Sequence, residues 1–278
     1  MIPTDGQVEK LRSLARAPEF MEQRYSIERE LGVGGMGSVY VALDTMLQRQ
    51  VAIKVVHPGD DTERLLAEAR TLAQLEHPGI VPIHDAGLLT DGRVYYAMKF
   101  VDGKRLDAFV VGTALSERLR VFLRIVEAVA FAHSLGVPHR DLKPHNVMVG
   151  QFGEVLVLDW GQPGMGTPGW MPPEGSGTML ADIFALGLIL RLLTEEFVEP
   201  PLRAIAKKAS HTGPDERYQS ASALRAEVIR FLDQERVLAF KENWWQQGTR
   251  LADRNRTALA LVAAYLVLRL ALIVLMGR

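Results

Sequence analysis

The sequence predicts an α+β chain, with β-strands gathered in its first part and helices in its second. Three observations carry this. Between residues 25 and 101 short β-prone runs are separated by glycine turns. From Ser116 onward the apolar residues recur at helical spacing. The last twenty or so residues form one long apolar run. The chain has 278 residues, 48% of them hydrophobic, which is ordinary for one large or two smaller globular units. Its net charge of −1 gives no reason to expect a nucleic-acid partner. It has no cysteine, so disulfides and Cys-based zinc sites are excluded.

Residues 1–24 read as an N-terminal extension, with Val8, Leu11, Leu14 and Ala15 at helical spacing and Pro18 as a stop. Residues 25–43 read as strand, glycine turn, strand. The turn runs from Gly32 through Val33, Gly34, Gly35, Met36, Gly37 and Ser38 to Val39. Glycines let backbone N–H groups approach phosphate oxygens with no Cβ in the way. The β-prone run Val39–Leu43 follows, whereas a dinucleotide-binding fold would open a helix here.

Val51–Val56 reads as a strand. Period-two alternation puts Val51, Ile53 and Val55 on one face and Ala52 and Lys54 on the other. Leu65, Glu68, Leu72 and Leu75 share a helix face, which sets Glu68 within an apolar stripe. A carboxylate there is costly unless paired, and Lys54 is the expected partner. Ile80–Gly87 and Arg93–Val101 are expected as two strands joined at Thr90-Asp91-Gly92. Ser116 is the expected N-cap of a helix to Leu135, with Gly136 after it and Leu119, Phe122, Leu123, Val126 and Ala130 as its buried stripe. His133 is expected to pack in that helix. Val155–Leu158 reads as a buried strand ending at Asp159-Trp160-Gly161.

The run from His139 to Val149 organises the whole. His139-Arg140-Asp141, Lys143 two residues on and Asn146 five residues on resemble the catalytic loop of eukaryotic-like (Hanks-type) bacterial Ser/Thr protein kinases. The glycine turn resembles that family's Gly-rich loop, Val51–Lys54 its V-A-I-K strand and Asp159-Trp160-Gly161 its D-F-G. The resemblance covers about residues 25–236. It implies a two-lobed protein-kinase fold: an antiparallel N-lobe sheet plus helix at 25–101, and a mainly helical C-lobe at 102–236.

The resemblance also implies roles. Asp141 would be the base, Lys143 would offset γ-phosphate charge, and Lys54 would hold the α/β-phosphates with Glu68 orienting it. Asn146 and Asp159 would bind Mg2+, or Mn2+ in its place. ATP would lie against Gly32, Val33, Gly34, Gly35, Gly37, Val39, Ala52, Lys54, Met98, Phe100 and Val101, with Met98 as gatekeeper and Lys99–Val101 as hinge. Asp102 and Asp107 are candidates on the ribose side. Asp182 would hold the catalytic-loop backbone, and Arg217 would pair with Glu174. The partners implied are protein substrates bearing Ser or Thr. A homo-oligomer is left open.

Two stretches depart from the family. Asp159 to Glu174 is only fifteen residues, and its one hydroxyl side chain, Thr167, matches a structural contact to Asp141 and Lys143. Only Thr194–Pro201 separate the apolar helix that begins at Asp182 from the helix at 202–209. Full motifs favour a protein kinase, and the trimmed stretches favour a nucleotide-binding scaffold without transfer. A small-molecule kinase fits less well, because Gly166–Glu174 resembles a peptide-binding element.

Residues 237–256 read as a juxtamembrane linker and 257–276 as a single transmembrane helix. Twenty residues at 1.5 Å each reach about 30 Å. Eleven are Leu, Ile or Val, each contributing about −0.3 to −0.6 kcal/mol at mid-membrane, against about +3 kcal/mol for Arg269. Arg250, Arg254 and Arg256 before the span predict a cytoplasmic kinase domain.

Overall fold

The computed structural model describes residues 18, 20, 24–34, 37–56, 69–70, 72–160, 166–243, 248, 260–266 and 269. Five antiparallel strands form the first sheet, in the order β1-β2-β3-β5-β4. They are β1 (Tyr25–Gly34), β2 (Gly37–Asp44), β3 (Arg49–Val56), β4 (Ile83–Leu88) and β5 (Val94–Lys99). One face packs Tyr25, Tyr40, Ala42, Val51, Ile53, Val55, Leu89 and Ala97 into a core. Phe20 adds to it from the N-terminal extension, edge-on to Tyr25 and Tyr95. The other face carries Ala52, Tyr96 and Met98, which pack with Val81 and look into the cleft.

The strands depart from the expected limits for local reasons. The glycine turn is tighter than expected: Gly32–Gly34 stay in β1 and Gly37–Val39 in β2, with Gly34 opposite Gly37. At Gly37 φ is +149°, and a Cβ there would lie 2.2 Å from the Val55 carbonyl oxygen, so only glycine fits. β4 starts at Ile83, not Ile80, because Pro82 has no N–H for the ladder. Ile80 instead bridges to Val157 of the C-lobe, and Val81 N–H donates to the Val157 carbonyl at 3.2 Å. β5 ends at Lys99, so Phe100 and Val101 leave the sheet as the link between lobes. The turn at Thr90–Gly92 forms as expected, with Gly92 at φ +84°. Helical backbone at 69–70 and 72–73 falls within the predicted Leu65–Leu75 helix, but Glu68 lies outside the described residues.

A small sheet follows, β6-β7-β8: β6 (Gly103–Arg105), β7 (Val147–Gly150) and β8 (Val155–Val157). The helices are α1 (Leu106–Val110), α2 (Leu115–Ser134), α3 (Met179–Thr194), α4 (Pro200–Ala209) and α5 (Ala221–Leu232). α2 starts one residue before Ser116, so Ser116 is not its cap. Ala114 fills that position without a side-chain bond. The buried Arg118 fixes the start instead, donating to the Thr113 carbonyl at 2.8 Å. Its buried face is broader than the expected stripe and includes Ile125, Ala128, Val129 and Ala132.

α3 is buried on almost every side. Each large side chain so buried contributes about 1.5–3 kcal/mol. At Gly187 a Cβ would meet Ser210 N at 2.6 Å, which sets the close approach of α4. Thr178 caps α3 and Ser220 caps α5, each accepting from the amide three residues on. After α5 the chain is pinned by the buried Glu227, which accepts from the amides of Leu238 at 3.1 Å and Ala239 at 2.8 Å.

Among the described residues no helix is long and apolar enough to cross a membrane. Of the expected span, residues 260–266 and 269 are described and helical, with 260–266 exposed. The rest of 257–276, and the expected helix at 8–15, lie outside the described residues.

Candidate active site

The catalytic-loop backbone is fixed from two helices at once. α2 ends at Ser134, and Gly136 turns the chain with φ +80°. On α3 the buried Asp182 then gathers three donors. It accepts from His139 N at 2.7 Å and Arg140 N at 3.0 Å, and it meets His133 Nε2 at 2.8 Å. Arg140 sits at φ +73°, a conformation costly for a non-glycine residue and persisting only where its surroundings over-determine it. Asp182 supplies that constraint.

His139 links the loop to the strand that follows. Its Nε2 meets the Leu158 carbonyl at 2.9 Å, and its Nδ1 accepts from Asp141 N at 3.3 Å. Those contacts fit one neutral tautomer, and burial lowers the pKa of this imidazole, so it stays neutral. The Trp160 ring packs against it, 4.7 Å between centroids, and donates Nε1–H to the Val157 carbonyl at 3.1 Å.

Asp141 is engaged on both oxygens. Lys143 Nζ lies 2.6 Å from Oδ2, and the Thr167 hydroxyl donates to Oδ1 at 2.7 Å. Lys143 also donates to Thr167 Oγ1 at 2.6 Å. A general base must lie about 2.6–3.2 Å from the proton it takes, and Thr167 shows that a hydroxyl reaches Asp141 at such a distance.

Asn146 donates to the Asp141 carbonyl at 2.8 Å and accepts Leu158 N–H on its own carbonyl at 2.8 Å. The β7–β8 register, Val147 opposite Val157, therefore sets Asn146 and Asp159 at the same end of one hairpin. Asp159 adopts φ +56°, the second non-glycine residue of the site in the left-handed region.

Lys54 meets Asp159 across the cleft at 2.7 Å. The expected partner, Glu68, is outside the described residues, as are Gly35 and Gly161. Burial works to lower the Lys54 pKa, but Tyr96 and Asp159 together outweigh it and hold the group above its ordinary value. Val39, Phe100 and Leu158 pack on the apolar wall formed by Ala52, Val81, Tyr96 and Met98. Gly32, Val33, Gly34 and Gly37 line the strand ends above it, and Val101 is buried at its hinge. Asp102 and Asp107 are turned to other partners, Gln151 at 2.6 Å and His145 at 3.7 Å.

The donor chemistry fits a nucleotide with a hard divalent cation. Asn146 and Asp159 offer amide and carboxylate oxygens, the kind Mg2+ takes while sharing its shell with phosphates. No group of three or more His, Cys, Asp or Glu able to hold a metal alone occurs among the described residues.

A family model described as the protein kinase domain matches residues 25–234. The chain belongs to this family. It is 36% identical over 226 residues to the serine/threonine-protein kinase PknD of Protochlamydia amoebophila, covering 61% of this chain and 23% of that one. It is 32% identical over 291 residues to PknD of Chlamydia caviae, covering 76% and 31%. The chain thus spans a third or less of these curated relatives. The crystal structure of the Mycobacterium tuberculosis PknI kinase domain superposes with a TM-score of 0.66 at 26% identity, covering 77% of this chain and 98% of that one.

Contacts within this kinase-family site that were not anticipated include Tyr96 beside Lys54, the Lys54–Asp159 pair, His133 on Asp182, and the Trp160 bond to Val157. Only the first had a signal in the sequence. Alternation along Tyr95–Met98 already puts Tyr96 on the face of Met98.

Proposed function

We propose that residues 25–236 form an ATP-dependent Ser/Thr protein kinase. The observation that carries the reading is the convergence at Asp141. A carboxylate, the Lys143 ammonium and a hydroxyl meet within 2.7 Å, and Lys54 pairs with Asp159 at 2.7 Å. Phosphoryl transfer needs a base for the hydroxyl, cations for the γ-phosphate and oxygens for the metal, and little else. Asp141 accepts the proton and Lys143 offsets charge on the transferred group. Lys54 holds the α/β-phosphates, while Asn146 and Asp159 would hold Mg2+ or Mn2+, which would supply positive charge against the phosphates. Lys143, two residues after the base, supports Ser or Thr as acceptor, as do the names of the Chlamydia relatives.

Membrane anchoring through residues 257–276 belongs to the same proposal, with the kinase domain cytoplasmic. The exposure of Leu261, Val262, Tyr265 and Leu266 supports it, since an apolar helix face needs a cover. Transfer of labelled phosphate from ATP and Mg2+ to a generic basic protein tests the activity. Resistance of the membrane-bound full chain to carbonate washing tests the anchor.

The second reading is a nucleotide-binding scaffold. It draws on the short link between α3 and α4, residues 195–199, where Arg118 bonds Glu196 at 2.6 Å while also donating to the Leu193 carbonyl at the end of α3 at 3.2 Å. A stably bound nucleotide without transfer would favour it.

A further inference from the structure

The chain turns at Asp159, whose φ of +56° a non-glycine residue keeps only where its surroundings hold it. Trp160 follows, 1% exposed and packed in the C-lobe core. Its indole Nε1–H donates back to the Val157 carbonyl, three residues earlier, at 3.1 Å. That bond closes the turn around Leu158 and Asp159. Neighbouring bonds tie down the same residues. Leu158 N–H goes to the Asn146 carbonyl at 2.8 Å, and the Leu158 carbonyl meets His139 Nε2 at 2.9 Å. A carbonyl oxygen has two lone pairs, and that of Val157 uses the other for Val81 N–H at 3.2 Å. The atom that receives the indole is therefore also a joint to the segment leading into β4. A phenylalanine, which D-F-G carries at this place, would fill the core but has no proton to donate.

We propose that Trp160 is a positioning residue, its indole N–H holding the turn at Asp159 closed on the Val157 carbonyl so that the Asp159 carboxylate stays aimed at Lys54 in the cleft. This rests on the kinase reading above and deepens it, because Asp159 is one of the two residues proposed there to hold metal. Asp159 reaches Lys54 Nζ at 2.7 Å while the next side chain is buried in the core. Opening the turn would draw the indole off the Val157 carbonyl and out of its packing against His139, 4.7 Å between ring centroids. A buried indole has one donor, and opening leaves it unpaired. None of these bonds calls on a phosphate in the segment that follows.

The test compares the full chain with Trp160→Phe, which keeps an aromatic ring and removes the donor, and with Phe122→Leu on α2, which thins the same core. Two quantities are read. One is amide hydrogen exchange of the chain without nucleotide or metal, followed by mass spectrometry in Val157–Trp160 and in α2 and α3. The other is the Mg2+ concentration for half-maximal transfer. Loss of one hydrogen bond predicts exchange about two- to tenfold faster in Val157–Trp160 for Trp160→Phe, and a Mg2+ requirement higher by a similar factor. Phe122→Leu should lower the melting temperature and move neither. Unchanged exchange at Val157–Trp160 in Trp160→Phe, a rise spread equally over α2 and α3, or an equal change in Phe122→Leu overturns the assignment. Faster exchange with an unchanged Mg2+ requirement overturns it too, since the bond would then hold the turn without aiming the carboxylate. A wild-type chain that transfers no phosphate would count against the kinase reading, and the positioning role would then stand or fall on the exchange arm.

Discussion

Lys54 of β3 and Asp159 after β8 meet across the cleft, Nζ to Oδ1 at 2.7 Å. One residue comes from each lobe, so this contact sets how Lys54, the lysine proposed to bind phosphate, faces the end of the β7–β8 hairpin proposed to bind metal. Replacing Lys54 with Met keeps the stem and removes the charge. It should lower kcat/KM for ATP by about 10²–10³-fold, the effect of deleting one preorganised donor at a developing charge. Steady-state kinetics with varied ATP will read it.

Arg217 and Glu174 give the clearest pH dependence. Arg217 Nη1 lies 2.5 Å from Oε1 and Nη2 lies 3.1 Å from Oε2 of Glu174. That guanidinium holds the Glu174 carboxyl below the usual range. A depressed folded pKa contributes stability that is complete above the unfolded value, about 4.3, and lost as pH falls through the folded one. Thermal melts of the wild type should therefore drop on acidification below about pH 4.3, and Arg217→Ala should lose this part of the drop.

At neutral pH Arg217→Ala should itself cost on the order of 3 kcal/mol, the low end for breaking a buried pair, because Glu174 keeps some solvent. Arg217 also serves the carbonyls of Leu180, His211 and Thr212. Denaturant unfolding will measure the loss. A cost below about 1 kcal/mol would mean that water replaces these bonds freely.

Control should not require phosphate on the activation segment. Thr167 is the one hydroxyl side chain between Trp160 and Pro173. Its Oγ1 is already bonded to Asp141 and Lys143. A phosphate there would add about −2 charge beside Asp141, the proposed base, which repels. Phosphatase treatment of active protein should leave the rate unchanged. Loss of activity, restored together with phosphate on Thr167, would defeat this expectation.

Much of the fold was legible because its signals are local. The turn at Thr90–Gly92 and the alternation in Val51–Val56 specify strands within a few residues. The His139–Asn146 spacing specifies the loop chemistry, but not what holds it. Asp182 and His133 are 49 residues apart in sequence, and only the packing of α2 on α3 brings them to 2.8 Å. The start of α2 was misread because Ser116 is a good cap by type, whereas Arg118 satisfies the Thr113 carbonyl from inside the helix. The Ile80 boundary could have been read, since Pro82 stands in the run.

Asp141 carries the central claim. The most direct measurement is transfer of labelled phosphate from ATP and Mg2+ to a basic protein by the wild-type chain and by Asp141→Asn, with ATP binding measured on both. Loss of a general base predicts transfer lower by about 10²–10⁴-fold with ATP binding retained. Equal transfer by the two proteins would contradict the assignment.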